Sequence, residues 1–111
     1  MPLTLATWNI NSIRLRRPMV EEFLLAFKPD VLCLQEIKCT NDQFPGDAFA
    51  ALGYVFQAVN GQKAYHGVAT ISKLPLSDIS TRQFCRIDHA RHVSAQVDFG
   101  RGPVSIHNFY V

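Results

Sequence analysis

Val31-Leu32-Cys33-Leu34-Gln35-Glu36, followed by Ile37-Lys38, is the stretch from which the rest of the chain can be read. Four apolar residues in succession, without alternation, predict a strand buried on both faces. Such a strand is a rigid base from which to present Glu36. In sheets with parallel neighbours, ligands gather beyond the carboxyl ends of strands, so Glu36 and Lys38 fall where a cation and an anion can both be held. Towards the N-terminus, Leu3 to Trp8 is a second short apolar run, closing in Asn9-Ile10-Asn11-Ser12. About twenty residues separate the two runs, the length of a crossover through one helix, and such a crossover makes its strands parallel. Asn9 and Glu36 then leave the sheet at the same edge. An amide oxygen beside a carboxylate is what Mg²⁺ takes from protein when phosphate oxygens and water complete its shell.

Between these runs Ser12 caps a turn, and Pro18 suits the first turn of a helix running to about Phe27. Glu21 and Glu22 then sit near its positive end, and Val20, Phe23, Leu24 and Phe27 form its buried stripe. Lys28-Pro29-Asp30 ends it, because Pro29 disfavours helical geometry in Lys28. After the polar loop Thr40 to Pro45, Gly46 to Leu52 reads as a short helix with Phe49 and Leu52 inward, stopped by Gly53. Tyr54 to Val59 and Gly67 to Ser72 read as strands around a turn at Asn60-Gly61. Leu74-Pro75-Leu76 breaks the pattern before a strand from Ser77 to Arg82. An irregular polar stretch then runs to Ala90. His92 to Phe99 and Val104 to Tyr110 alternate as half-buried antiparallel strands, joined by Gly100-Arg101-Gly102-Pro103. The two helices can cover one face of the sheet, and the other face is expected to lack a partner.

The 111 residues allow one domain at most. No apolar run approaches the roughly 18 residues of a membrane span, and the N-terminus lacks a basic region followed by an apolar one. A cytoplasmic location is the default expectation. Cys33, Cys39 and Cys85 are odd in number and lack a C-x-x-C spacing, which argues against a zinc site or a disulfide framework. A net charge of +2 is too slight to predict nucleic-acid binding. Its distribution is more telling, because Arg14, Arg16 and Arg17 stand together without an acid among them, as a phosphate contact or as a solvated face.

Four motifs then carry a resemblance: Trp8-Asn9-Ile10-Asn11-Ser12, Leu34-Gln35-Glu36-Ile37-Lys38, Gly61 to Ala69 (GQKAYHGVA) and Asn108-Phe109-Tyr110-Val111. In order and spacing they resemble the N-terminal part of the exonuclease III family, within the endonuclease/exonuclease/phosphatase superfamily. The resemblance covers this whole chain, but only about the first two-fifths of a family member. It implies a DNA-repair nuclease dependent on Mg²⁺, with Mn²⁺ as the alternative, that cuts duplex DNA 5′ to abasic sites and removes nucleotides from 3′ ends. The implied fold is α/β, the N-terminal part of a four-layer sandwich. Its mixed sheet would carry helices on one face, while the other face awaits a second sheet.

The resemblance also implies roles. Asn9 helps hold metal and phosphate, Glu36 is the metal ligand, and Tyr110 contacts the scissile phosphate. Asn11, Arg14, Lys38, Lys63, Tyr65 and Arg91 are candidate DNA contacts; for Lys63 and Tyr65 the alternative is a solvated turn. Trp8 reads as core, and the four histidines show no ligand constellation. Family members continue with a G-D-x-N segment and end in an aspartate-histidine pair. Neither pattern is found here, and Asp88-His89 lies in the wrong part of it. Residues 1 to 111 are therefore expected to be the N-terminal portion of one domain, cut at Tyr110-Val111, inactive alone and able to self-associate through the uncovered face. No other protein partner is inferred. The alternatives are a phosphatase of the same superfamily and a non-catalytic DNA- or metal-binding fragment.

Overall fold

The structure, a computed structural model, describes residues 2–81, 90–100 and 102–110. Arg82 at the end of an expected strand, Cys85, the Asp88-His89 pair, Arg101 in the expected turn and Val111 lie outside the described residues. The two apolar runs form β1 (Leu5–Asn9) and β2 (Val31–Gln35), paired in parallel with Asn9 opposite Gln35. Helix α1 (Ile13–Phe27) makes the crossover. A short α2 (Gly46–Ala50) precedes β3 (Phe56–Asn60) and β4 (Val68–Ser72), and β4 lies antiparallel between β2 and β3. The first sheet therefore has the order β1-β2-β4-β3. Its middle strands are the two buried along almost their whole length.

Helix α1 begins five residues earlier than Pro18 suggests. Ile13, Val20 and Leu24 form one buried stripe, and the Ser12 hydroxyl accepts the Leu15 N–H at 3.4 Å. A proline inside a helix costs about 3 kcal/mol through its lost hydrogen bond and ring clash. Here the apolar stripe and the cap outweigh that cost. Two expectations fail as a result. Glu21 lies in mid-helix, paired with Arg17 at 3.1 Å, and the first turn carries no acid. Phe27 is mostly exposed, its ring tilted against that of Phe23 at 5.1 Å, which in turn meets the edge of Trp8 at 5.5 Å. Trp8 packs against the core as expected.

The helices lie on one face of the sheet, where Leu32, Leu34, Ala69 and Ile71 meet Ile13, Val20, Leu24 and Phe49. The other face is not bare. After β4 the chain turns a corner at Lys73 to Pro75, held where the Ser72 hydroxyl bonds both the N–H and the carbonyl of Leu74. It then builds a second, antiparallel sheet from β5 (Leu76–Ser80), β6 (His92–Asp98) and β7 (Pro103–Phe109). Val97 and Ile106 pack on Val31 and Cys33, and Val93 on Ala58 and Val68. The alternation in the last two strands was the inner face of this second sheet. Self-association through an uncovered sheet face therefore loses its basis. What remains open is the sheet edges; at one side, among the described residues, β1 pairs only with β2 and β7 only with β6. A groove of about 330 Å³ between those edges is lined by Leu5, Thr7, Cys33, Gln35, Ile106 and Phe109, among others.

Tyr54 anchors the helix layer to the turn before β2. Its ring is buried, and its hydroxyl donates to the Pro29 carbonyl at 2.6 Å. Burial pushes its phenol up to about 12, with Asp30 adding to the rise. A raised value means that the stabilising contribution is complete below about pH 10 and is lost as pH rises through about 12. Tyr54→Phe should cost about 1–3 kcal/mol at neutral pH, the range for a buried acceptor left unsatisfied, and should blunt the alkaline loss of stability. Urea titrations at neutral and alkaline pH read both effects; identical alkaline limbs would refute the assignment.

Candidate active site

Three strand ends and one loop meet beyond the carboxyl end of β2. Glu36 follows β2, Asn9 ends β1, Tyr110 follows β7, and the loop 61–67 joins β3 to β4. Backbone hydrogen bonds stitch the segments together. Ser12 and Ile13 donate to the carbonyls of Glu36 and Ile37 at 2.8 and 3.1 Å. Ile37 and Lys38 donate to those of Gly67 and His66 at 3.1 and 2.9 Å. Gly67 has a φ of 85°, and a Cβ there would stand 2.7 Å from the Ile37 side chain, so the close approach of this loop requires glycine.

The backbone at the site is strained. Asn11, Ser12, Glu36, Lys38, Ala64 and His66 all have positive φ, between 49° and 85°. Residues with a Cβ avoid this region because Cβ crowds the following carbonyl. Such residues cluster where the surroundings over-determine the backbone, and the stitching above does so here.

The side chains converge on the Glu36 carboxylate. Asn9 Nδ2 donates to its Oε1 at 3.3 Å, and Lys38 Nζ stands 3.9 Å from its Oε2 while bonding Asn11 Oδ1. The Tyr110 phenol lies close enough to the same carboxylate to be the main influence holding Glu36 below the ordinary carboxylate range; Asn9, Lys38 and His66 add to it, against burial. The neighbouring Glu36 in turn raises the Tyr110 phenol, with Arg91 opposing. Glu36 is therefore ionised, and Tyr110 protonated, at neutral pH. The stability that Glu36 contributes is present above about pH 4.5, its unperturbed value, and is lost as pH falls through its depressed one.

One step back from these groups lies a polar row that supports them. Gln35 Nε2 donates to Thr7 Oγ1 at 3.0 Å and to Asn108 Oδ1 at 2.8 Å. Asn108, buried on β7, donates across the interface between the sheets to the carbonyls of Leu34 at 3.2 Å and Ala69 at 2.9 Å, and to Thr70 Oγ1 at 3.3 Å. Thr7, Gln35 and Asn108 thus fix the positions from which Asn9, Glu36 and Tyr110 project. Asn108 has no role among the expectations above, although it opens the motif Asn108-Phe109-Tyr110-Val111.

Among the expected site residues, Asn9, Asn11, Glu36, Lys38 and Tyr110 come together. Arg91 joins them, its guanidinium 4.9 Å from the Tyr110 ring centroid. Lys63 and Tyr65 are exposed on the loop 61–67, the Tyr65 ring 6.3 Å from that of His66. Arg14 lies exposed in the first turn of α1, and the expected arginine cluster is divided. Arg16 bonds the Asn11 carbonyl and Arg17 pairs with Glu21. His66, for which no role was expected, packs its ring tilted against that of Tyr110 at 5.5 Å.

Among the described residues no three His, Cys, Asp or Glu side chains gather to hold a metal. One ionised carboxylate beside an amide nevertheless suits Mg²⁺, which usually keeps several waters and takes only one or two carboxylates from protein. No helix among the described residues is long and apolar enough to cross a membrane.

The chain is 41% identical over 68 residues to exodeoxyribonuclease III of Haemophilus influenzae, covering 60% of this chain and 25% of that protein. It is 36% identical over 73 residues to DNA-(apurinic or apyrimidinic site) endonuclease 2 of Xenopus laevis, covering 64% of this chain and 14% of that one. Among solved structures it resembles an AP endonuclease from Archaeoglobus fulgidus (TM-score 0.88, 36% identity, 99% of this chain and 41% of that one). The 3′-5′ exonuclease NExo from Neisseria meningitidis is equally similar (TM-score 0.87, 33% identity, 97% of this chain and 41% of that one). The chain thus spans about a quarter of the bacterial relative and about two-fifths of these structures. The pattern of the Endonuclease/Exonuclease/phosphatase family matches residues 6–109, nearly the whole chain, and with the exonuclease III and AP endonuclease relatives it places the chain in that family.

Proposed function

We propose that this chain is the N-terminal portion of a single-domain DNA-repair nuclease, one that hydrolyses phosphodiesters 5′ to abasic sites and at 3′ ends of duplex DNA with Mg²⁺ or Mn²⁺. The observation that carries the reading is the convergence of Glu36, Asn9, Lys38 and Tyr110 at one strand edge. Phosphodiester hydrolysis needs charge on the phosphate neutralised and its oxygens held by donors. Glu36 and Asn9 would hold the metal, which supplies Lewis-acid polarisation of a phosphate oxygen when bound. Tyr110, kept protonated, donates a hydrogen bond to a phosphate oxygen once substrate draws it from Glu36. Lys38 and Asn11 face the same space. The N-terminus of α1 carries no acid in its first turn, so the helix dipole adds positive potential beside the site.

None of these groups is a general base for water, and the 111 residues contain no G-D-x-N segment. The chain alone should bind abasic-site duplex without turning it over, and should cleave once completed with the remaining length of a relative. Binding measured against salt tests the interface. Arg14→Gln should weaken affinity evenly across sequences and flatten the log–log salt slope by about one unit, whereas Arg17→Gln, already paired with Glu21, should change it little. An unchanged slope for Arg14→Gln would return that residue to a solvated face. Turnover by the unextended chain would overturn the division of the site.

A further inference from the structure

We propose that His66 is a positioning residue for Tyr110, acting with Arg91 to hold the phenol at the Glu36 end of β2; the proposal rests on the role given to Tyr110 above. Tyr110 lies just beyond β7, where a side chain on an exposed strand end would otherwise sample several rotamers. Arg91 fixes its backbone by accepting the Tyr110 N–H at 2.8 Å and covers its ring with the guanidinium. His66 supplies the remaining aromatic wall, its ring tilted 36° to that of Tyr110.

His66 is itself fixed on both sides. Its carbonyl takes the Lys38 N–H, and its neighbour Gly67 accepts from Ile37 and donates to the Ala90 carbonyl at 2.8 Å. Its φ of 52° aims the side chain from a backbone that an unstitched loop would not keep. One residue is therefore bonded through its main chain to the segment carrying Glu36 and packed through its side chain on Tyr110. It sets the spacing between Tyr110 and the segment that carries Glu36. The ring does this by its shape, so another flat ring should serve.

The test uses the 111-residue chain with ¹³C-labelled tyrosine and aromatic NMR. In the unsubstituted chain Tyr110 ring protons should give cross-peaks to the His66 ring and to the Glu36 side chain. His66→Ala should move the Tyr110 ring signals toward free tyrosine and abolish the Glu36 cross-peak, while amide signals of β2 and β4 stay in place. His66→Phe should keep the Glu36 cross-peak, and this variant carries the test if His66→Ala fails to fold. The proposal is overturned if His66→Ala leaves the Tyr110 signals unchanged, or if a folded His66→Phe loses the cross-peak. Absence of a Tyr110–Glu36 cross-peak in the unsubstituted chain would bring down the reading of Tyr110 itself, and this proposal with it.

Discussion

Glu36→Ala is expected to lower cleavage of an abasic-site duplex by roughly 10²–10³-fold, the range seen when one main electrostatic contact to the transition state is removed. The assay is run on the chain completed with the remaining length of a family relative. Glu36 is the only carboxylate at the junction of β1, β2 and β7 among the described residues, and Asn9, Lys38 and Tyr110 all address it. Without it an amide oxygen would be left to hold a hard dication, and one neutral ligand is a poor substitute for a carboxylate. Part of the loss should return at high Mg²⁺ or with Mn²⁺, because mass action refills a weakened site. Glu36→Gln keeps the shape and a hydrogen-bond acceptor, so a comparable loss in that variant would assign the effect to charge. Full activity of Glu36→Ala at low Mg²⁺ would remove Glu36 from the site.

The second large effect belongs to Asn108. Asn108→Ala deletes four hydrogen bonds that cross between the two sheets and leaves Gln35 without one of its acceptors. Buried polar groups stripped of partners cost about 1–3 kcal/mol each, and a network loses more than one isolated bond; a destabilisation of about 3 kcal/mol is expected. Asn108→Asp should be no better, because a carboxylate has nothing to donate to the carbonyls of Leu34 and Ala69. Urea unfolding should show a lower midpoint with an unchanged slope. A change within about 0.5 kcal/mol, typical of surface positions, would show that the sheets do not depend on this contact.

The sequence revealed the part of this fold that is built from neighbours. The apolar runs of β1 and β2, with one helix between them, dictated a parallel pair, and that pair put Asn9 beside Glu36 without further information. Tyr110 was different. No periodicity connects a residue after the last strand to one after the second, and only the resemblance linked them. The second sheet was hidden for a related reason: alternation in His92 to Phe99 identifies an inner face, but not which sheet it belongs to. The start of α1 was obscured by Pro18, although the spacing of Ile13, Val20 and Leu24 held the answer. Asn108 and His66 lie within quoted motifs, but their contacts are with residues distant in sequence, so composition and spacing gave neither a role.

The left-handed residues around the site bear on how this protein could be engineered. At Glu36, Lys38 and His66 a glycine would relieve steric crowding worth roughly 1–2 kcal/mol and give back about 0.5–1 kcal/mol in chain entropy. The fold should therefore tolerate, or even gain from, losing three of the side chains assigned to the proposed site. A library selected only for heat resistance would drift toward glycine at these positions and yield hardy, idle variants. Functional side chains on reluctant backbone survive only under selection for what they do.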